Sequence, residues 1–238
     1  MPNDFFQFKH FRIEQAACAM KVSTDACVLG AAAAVQGAGR ILDVGTGTGL
    51  LALMAAQRNP TAQIEAVEID APAAAQARQN AAVSPWAGRL RVHHLSLRDF
   101  AATQPAPFDH ILSNPPFFRH SLRSPDAQRT AARHADDTLS FAELAGFAAR
   151  FLAPGGPLTV LLPPAEMQEF EQQAQQAGLL PLSRLVLHHR PGSKPLRHVT
   201  AFGRLAQPLS STELFLHDAD EAYSAPFRQL LRDFYLAF

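Results

Sequence analysis

Aromatic and polar positions alternate at the start of the chain, with Phe5, Phe6, Phe8, Phe11 and Ile13 set among polar neighbours. That pattern predicts a short extended hairpin or arm over residues 1–22. Thr24 then stands where a helix cap is needed, ahead of Cys27, Val28, Leu29 and a run of alanines that stops at Gly37 and Gly39. From residue 40 onward short apolar runs alternate with longer helical patterns. "RILDV", "QIEAVEID", "LRVHHL", "FDHILSN" and "PLTVLLP" read as strands. Between them "LLALMAAQRN", residues 71–83 and residues 140–152 read as helices, and a further helix covers 164–178. "LSRLVLHHR" and "RHVTAFGRL" follow as two β segments joined by the turn-rich "PGSKP". Alternating strands and helices predict an α/β fold: a doubly wound, mostly parallel seven-stranded sheet, with the last pair antiparallel at its edge. The whole chain reads as one domain in three parts: an arm and helix over 1–39, a core over 40–205, and an extension over 206–238. The extension ends in an amphipathic helix that packs back on the core.

Composition narrows this picture only a little. The chain has 238 residues, 47% of them apolar, which suffices for a full core. Formal net charge is zero, so no overall basic coat is present, although local basic faces are allowed. Lysine occurs only at Lys9, Lys21 and Lys194, so the cationic surface is arginine, either for bidentate phosphate contact or from a GC-rich genome. Cys18 and Cys27 have no zinc-ligand spacing and no disulfide framework around them, so no metal is expected. Neither a signal-peptide core nor an apolar run approaching ~18 residues is visible. The expectation is a reduced, cytoplasmic protein, with a monomer favoured and no membrane partner.

The chemistry begins at "LDVGTGTGLLAL", where Gly45, Gly47 and Gly49 lie between the first core strand and its helix. Glycines there let a ligand approach the backbone at the carboxyl edge of the sheet. A dinucleotide fingerprint needs its third glycine at position 50, which is Leu50. The GxGxG spacing favours S-adenosylmethionine (SAM), which has no pyrophosphate to seat. Asp43, two residues before the loop, suits a sulfonium amino acid and would repel phosphates. After the second strand, Glu68 is placed to accept both ribose hydroxyls. Asp70 competes for that role but precedes Ala71-Pro72, where a helix cap is its natural task. Asp99, after the third strand, is a candidate acceptor for the adenine amine, or a loop carboxylate or cap.

The fourth strand runs into "ILSNPPFF". The lone pair of an exocyclic base amine is delocalised into the ring, so the nitrogen is a poor nucleophile. Two acceptors aimed at its N–H groups would free that pair. Asn114 offers a side-chain oxygen and Pro115 a carbonyl, while Pro115 and Pro116 stiffen the backbone that presents them. Phe117 is placed to stack on a base, and Phe118 is assigned to packing. Taken alone, the same residues describe a strand-ending turn with two buried rings. In sequence with the glycine loop and the three acidic positions they form a coherent site.

Glycine loop and "NPPF" together resemble the class I SAM-dependent amino-methyltransferases. "FQFKHFRIEQ" at 6–15, "AMKVSTDACVLGA", "NPPFF", "ARH" at 132–134 and "YSAPFRQLLRDFYL" extend the likeness to the bacterial tRNA1(Val) adenine-N6 methyltransferase family over essentially the whole chain. The resemblance implies a Rossmann-like class I methyltransferase fold and methylation of adenine 37 in the anticodon loop. It also implies SAM contacts at Lys21, Thr24, Asp43, Gly45, Glu68 and Asp99, and target-base contacts from Asn114 to Phe117.

Two basic clusters are candidates for tRNA. Arg119, His120, Arg123, Arg129, Arg133 and His134 lie in the polar connection 119–139, which is long for a compact domain. Arg184, Arg190, Lys194, Arg197 and Arg204 form the second, with an ordinary solvated face as the bland reading of either. The acids Glu213, Asp218, Asp220 and Glu221 are expected to face away. Other amino-methyltransferase substrates, a ribosomal RNA adenine or a protein glutamine, remain as alternatives on the same scaffold. A non-catalytic SAM- or RNA-binding scaffold ranks below them, and Leu50 disfavours a dehydrogenase.

Overall fold

A computed structural model describes residues 3–18, 20–116 and 139–238. The arm is a two-stranded antiparallel hairpin, β1 (Phe5–Gln7) and β2 (Arg12–Glu14), in register Phe6 to Ile13. Phe8 and Ile13 are fully buried and Phe8 stacks on Phe11 at 4.4 Å, while Phe5 is exposed. Helix α1 (Thr24–Ala32) follows, capped by Ser23 and not by Thr24; the Ser23 hydroxyl accepts the Ala26 N–H at 3.4 Å. A polar side chain one residue earlier does the capping because Thr24 is already the first helical residue. The helix also ends at Ala32, before the expected Gly37.

The main sheet contains β3 (Arg40–Val44), β4 (Gln63–Glu68), β5 (Leu90–His94), β6 (His110–Ser113), β7 (Leu158–Leu162), β8 (Leu180–His188), β9 (Pro195–Gly203) and β10 (Ser210–Phe215). Their order is β10-β8-β9-β7-β6-β3-β4-β5. Strands β3, β6 and β7 are buried almost throughout, which is why they read as continuous apolar runs. Helices α2 (Leu50–Arg58) and α3 (Ala71–Ala82) join α1 and the hairpin on one face, while α4 (Leu97–Ala102), α5 (Phe141–Phe151) and α6 (Pro164–Gln176) cover the other. The C-terminal helix α7 (Ala225–Leu231) returns to the first face, burying Phe227 and Leu231.

The doubly wound class is the one expected, but among the described residues the sheet has eight strands and not seven. The tail residues 210–215 add a strand parallel to β8, and the antiparallel strand β9 lies inside the sheet between β7 and β8. The exposed, polar "SSTE" of β10 carries no apolar run, so only its long-range pairing reveals it. This strand also corrects the placement of the acidic tail. Phe215 pairs with His188, His188 with Pro195, and His198 with Leu162. The ends of β8 and β10 therefore share the carboxyl edge with the end of β7, and the loop of Asp218, Asp220 and Glu221 lies on that edge. Glu221 there pairs with Arg190 at 3.2 Å. Among the described residues no helix is long and apolar enough to cross a membrane, and no cluster of His, Cys, Asp or Glu forms a metal site.

Candidate active site

The glycine loop leaves β3 with Gly45, Gly47 and Gly49 at φ 71°, 55° and 85°, a left-handed path that side chains rarely follow. The Gly45 and Thr46 N–H groups donate to the Val67 carbonyl at 2.9 and 3.1 Å, which fixes the loop to the end of β4. Asp43 stands behind it. One carboxylate oxygen accepts from the Thr46 hydroxyl and from the Ala52 N–H in the first turn of α2. The other has no hydrogen-bond partner among the described residues. Complete burial raises the Asp43 pKa from the usual carboxylate range to about 7 despite those bonds, and the Glu68 charge adds to the rise. A buried carboxylate with a free oxygen is a favourable neighbour for a cationic ligand, but Asp43 is not on the cavity wall itself.

Glu68 sits at the end of β4, 9% exposed, with one oxygen accepting the Gly47 N–H at 2.8 Å and the other the Asp70 N–H at 2.9 Å. Each carboxylate oxygen keeps a second lone pair for a ligand. Asp70 is the cap of α3, accepting the Ala73 N–H at 2.9 Å as expected, and it lines the cavity beside Glu68. Asp99 is both cap partner and wall. It accepts the Ser96 hydroxyl at 2.7 Å while its own N–H donates to Ser96 at 3.0 Å, a reciprocal arrangement that orients the carboxylate.

A cavity of about 910 Å3 opens between these groups, lined by Gly45, Gly47, Glu68, Asp99 and, from the far side, Pro116. Its size is that of a ligand site. Apolar Ile69 and Leu97 offer faces for a flat ring, Glu68 and Asp99 offer acceptors, and loop backbone meets the rest. This donor set fits SAM: Glu68, Asp70 and Asp99 on the wall outnumber its one arginine, Arg98, and no phosphate-binding cation stands on the glycine loop itself.

The target turn adjoins this cavity. The Ser113 hydroxyl donates to the Val44 carbonyl at 2.9 Å, binding the end of β6 to the end of β3. Asn114 is half-buried, Pro115 buried, and Pro116 lies on the cavity wall. Phe117 and Phe118 fall outside the described residues, as do Arg119, His120, Arg123, Arg129, Arg133 and His134.

Besides Asp43, two implied cofactor contacts are not on the wall. Lys21 faces Asp4 at 3.5 Å and the Asn3 carbonyl at 3.4 Å, and Thr24 shares a hydrogen bond with the Tyr235 hydroxyl. The same segment instead brings Cys18 and Met20 to the cavity. Burial, together with the charges of Glu68 and Asp70, raises the Cys18 thiol to about 11, so it is protonated there. Ordinary apolar residues in an irregular stretch carry no sequence signal for such a position.

The second basic cluster divides. Arg184 is paired with Glu171, Arg197 with Asp25 at 2.9 Å, and Arg204 donates to carbonyls at the end of α5. Arg190 and Lys194 are exposed on the turn between β8 and β9, at the same sheet edge as Asn114.

Comparison with known proteins agrees with this geometry. Residues 19–164 match the Methyltransferase small domain family. A tRNA1(Val) (adenine(37)-N6)-methyltransferase of Phocaeicola vulgatus is 44% identical over 236 residues, covering 99% of each chain. One from Tolumonas auensis is 42% identical over 232 residues, covering 97% of this chain and 96% of the other. Among solved structures, a predicted O-methyltransferase from Agrobacterium tumefaciens superposes with TM-score 0.65 at 23% identity, over 88% of this chain and 96% of that one. A methyltransferase from Pyrococcus furiosus gives 0.52 at 19%, over 77% and 83%. The structural neighbours share the fold, and the sequence relatives match from end to end: the chain belongs to the tRNA1(Val) (adenine(37)-N6)-methyltransferase family.

Proposed function

We propose that this protein methylates the exocyclic N6 amine of adenine 37 in tRNA1(Val), with SAM as methyl donor. The observation that carries the reading is the shared wall: Pro116, in the turn suited to a planar amine, lines the cavity whose other side is the glycine loop, Glu68 and Asp99. When bound, SAM supplies an electrophilic methyl carbon on a sulfonium. Glu68 and Asp99 orient the donor by accepting from its ribose and adenine. Asn114 and the Pro115 carbonyl accept the two amine protons and draw nitrogen density out of the ring. Pro115 and Pro116 hold these acceptors ready before the base arrives. Phe117 stacks on the base, which leaves a loop at lower cost than a duplex. Nitrogen becomes acidic once it carries the new bond, so its proton passes to solvent without a strong base.

Arg119, Arg123, Arg129 and Arg133 follow the turn in sequence, and Arg190 and Lys194 stand on the same edge; these grip phosphates. Arg197, already paired with Asp25, contributes through the fold. The enzyme acts as a monomer in the cytoplasm, where its substrate is. Methyl transfer from labelled SAM to unmodified tRNA1(Val), followed by nucleoside mass spectrometry, tests the assignment. N6-methyladenosine at position 37 is the expected product. Methylation of ribosomal RNA or of a glutamine-bearing peptide, with none of tRNA, would sink the substrate while keeping the chemistry.

A further inference from the structure

One buried side chain that the reaction does not use joins the N-terminal arm to the cofactor loop. Asn80, on α3, is 1% exposed. Its Oδ1 accepts the Glu14 N–H at 2.9 Å and its Nδ2 donates to the Glu14 carbonyl at 2.8 Å, the two bonds a neighbouring strand would make to β2. Nδ2 also donates to the Thr48 carbonyl at 2.8 Å, inside the glycine loop. Thr48 follows Gly47, which lines the cavity and donates to Glu68. On the arm side, Gln15, 4% exposed, donates to the Asn3 carbonyl at 2.9 Å and accepts the Val22 N–H at 2.8 Å. That closes the loop carrying Cys18 and Met20 onto the opposite cavity wall.

We propose that Asn80 is a positioning residue for cofactor binding, making the arm and the glycine loop a single unit. Two walls of the cavity then stand in register before the ligand arrives, and binding energy is not spent on docking the arm. Coupling of this kind is reciprocal, so the ligand must in turn tighten the arm. The inference rests on the cavity being the SAM site and not on the identity of the RNA.

Asn80→Asp tests it, because it keeps size and the Glu14 acceptor but removes both N–H donors and faces two carbonyls with a carboxylate. The expected result is a SAM Kd about tenfold higher by calorimetry, with KM for SAM rising in step and kcat at saturating SAM within about twofold. Amide exchange over residues 5–14 should quicken in the variant and slow in the wild type when SAM is added. Gln15→Ala should also weaken SAM binding, and the double variant should be little worse than Asn80→Asp alone, since both act on one unit. If Asn80→Asp does not fold, the wild-type exchange experiment and Gln15→Ala decide. An unchanged SAM Kd beside a loosened arm, fully additive losses, or wild-type arm exchange indifferent to SAM would each overturn the coupling. Wild-type protein that binds SAM and shows the coupling, yet leaves tRNA unmethylated, would overturn the substrate reading and leave this one standing.

Discussion

The two halves of the sheet's carboxyl edge are built differently. At the ends of β3, β4 and β5, the cofactor half is made of backbone and short-range bonds: glycines at positive φ, Glu68 held by two N–H groups, Asp99 locked to Ser96. At the ends of β7, β8 and β10 and the start of β9, the half proposed to meet tRNA is made of side chains, and their availability depends on neighbours distant in sequence. Arg184, Arg197 and Arg204 look alike with Arg190 and Lys194 along the chain. Arg184 and Arg197 are partly buried against Glu171 and Asp25, Arg204 is tied to carbonyls at the end of α5 and Arg190 to Glu221 on the surface, and Lys194 is exposed beside them. A backbone-built site is thus encoded locally, whereas a charged surface is decided by what folds against it.

The largest test of this contrast is at the turn between the halves. Asn114→Ala should cut methyl transfer by about a thousandfold, through loss of a preorganised acceptor, and leave SAM affinity nearly unaltered in calorimetry. Glu68→Gln comes next. Losing a charged acceptor that also steadies Gly47 should raise the SAM Kd by about ten- to a hundredfold. A smaller effect should separate cations of the substrate half. Reversing Arg190 and Lys194 together to Glu should weaken tRNA binding severalfold and lower the salt slope by about one for each phosphate no longer neutralised, with Tm little changed because the Arg190–Glu221 pair is exposed. Arg197→Glu, only three residues from Lys194, should instead lower Tm by several degrees, because it sets a second carboxylate against Asp25. Equal behaviour of these variants in tRNA titration and in melting would erase the distinction.

The smallest effect concerns pH. The folded pKa of Asp43, about 7, lies above its unfolded value, so the folded state holds the proton more tightly. The resulting stabilisation is complete below pH ~4 and is lost as pH rises through ~7. The Tm of the wild type should therefore fall from pH 5 to pH 8 relative to that of Asp43→Asn. Comparing the two cancels the opposite contribution of His110, which burial depresses to about 4. A constant difference would mean that Asp43 keeps its charge in the folded chain.

Much of the fold was legible from pattern alone. Nearly fully buried β3 and fully buried β6 and β7 announce themselves as apolar runs, and α3 by its Asp70-Ala71-Pro72 start. Strand β10 was not, because an exposed polar strand has no periodicity of its own and exists only by pairing with β8. The acidic loop beyond it was misplaced for the same reason. In the site, Gly45, Gly47, Glu68 and Asp99 fell where spacing placed them, since each follows a strand that must end at one edge. Cys18, Met20 and Asn80 were invisible, because an apolar or amide residue takes its role from whatever lies opposite.

By itself, then, the order of residues determined the strand–helix alternation, the glycine loop with its acids, and the Asn-Pro-Pro turn, all properties of neighbours a few positions apart. Tertiary structure alone decided which arginines stay exposed, that Thr24 meets Tyr235, and that Asn80 ties residue 14 to residue 48. Those are contacts between segments far apart in the chain, and their energies depend on burial and partner, which no local pattern records.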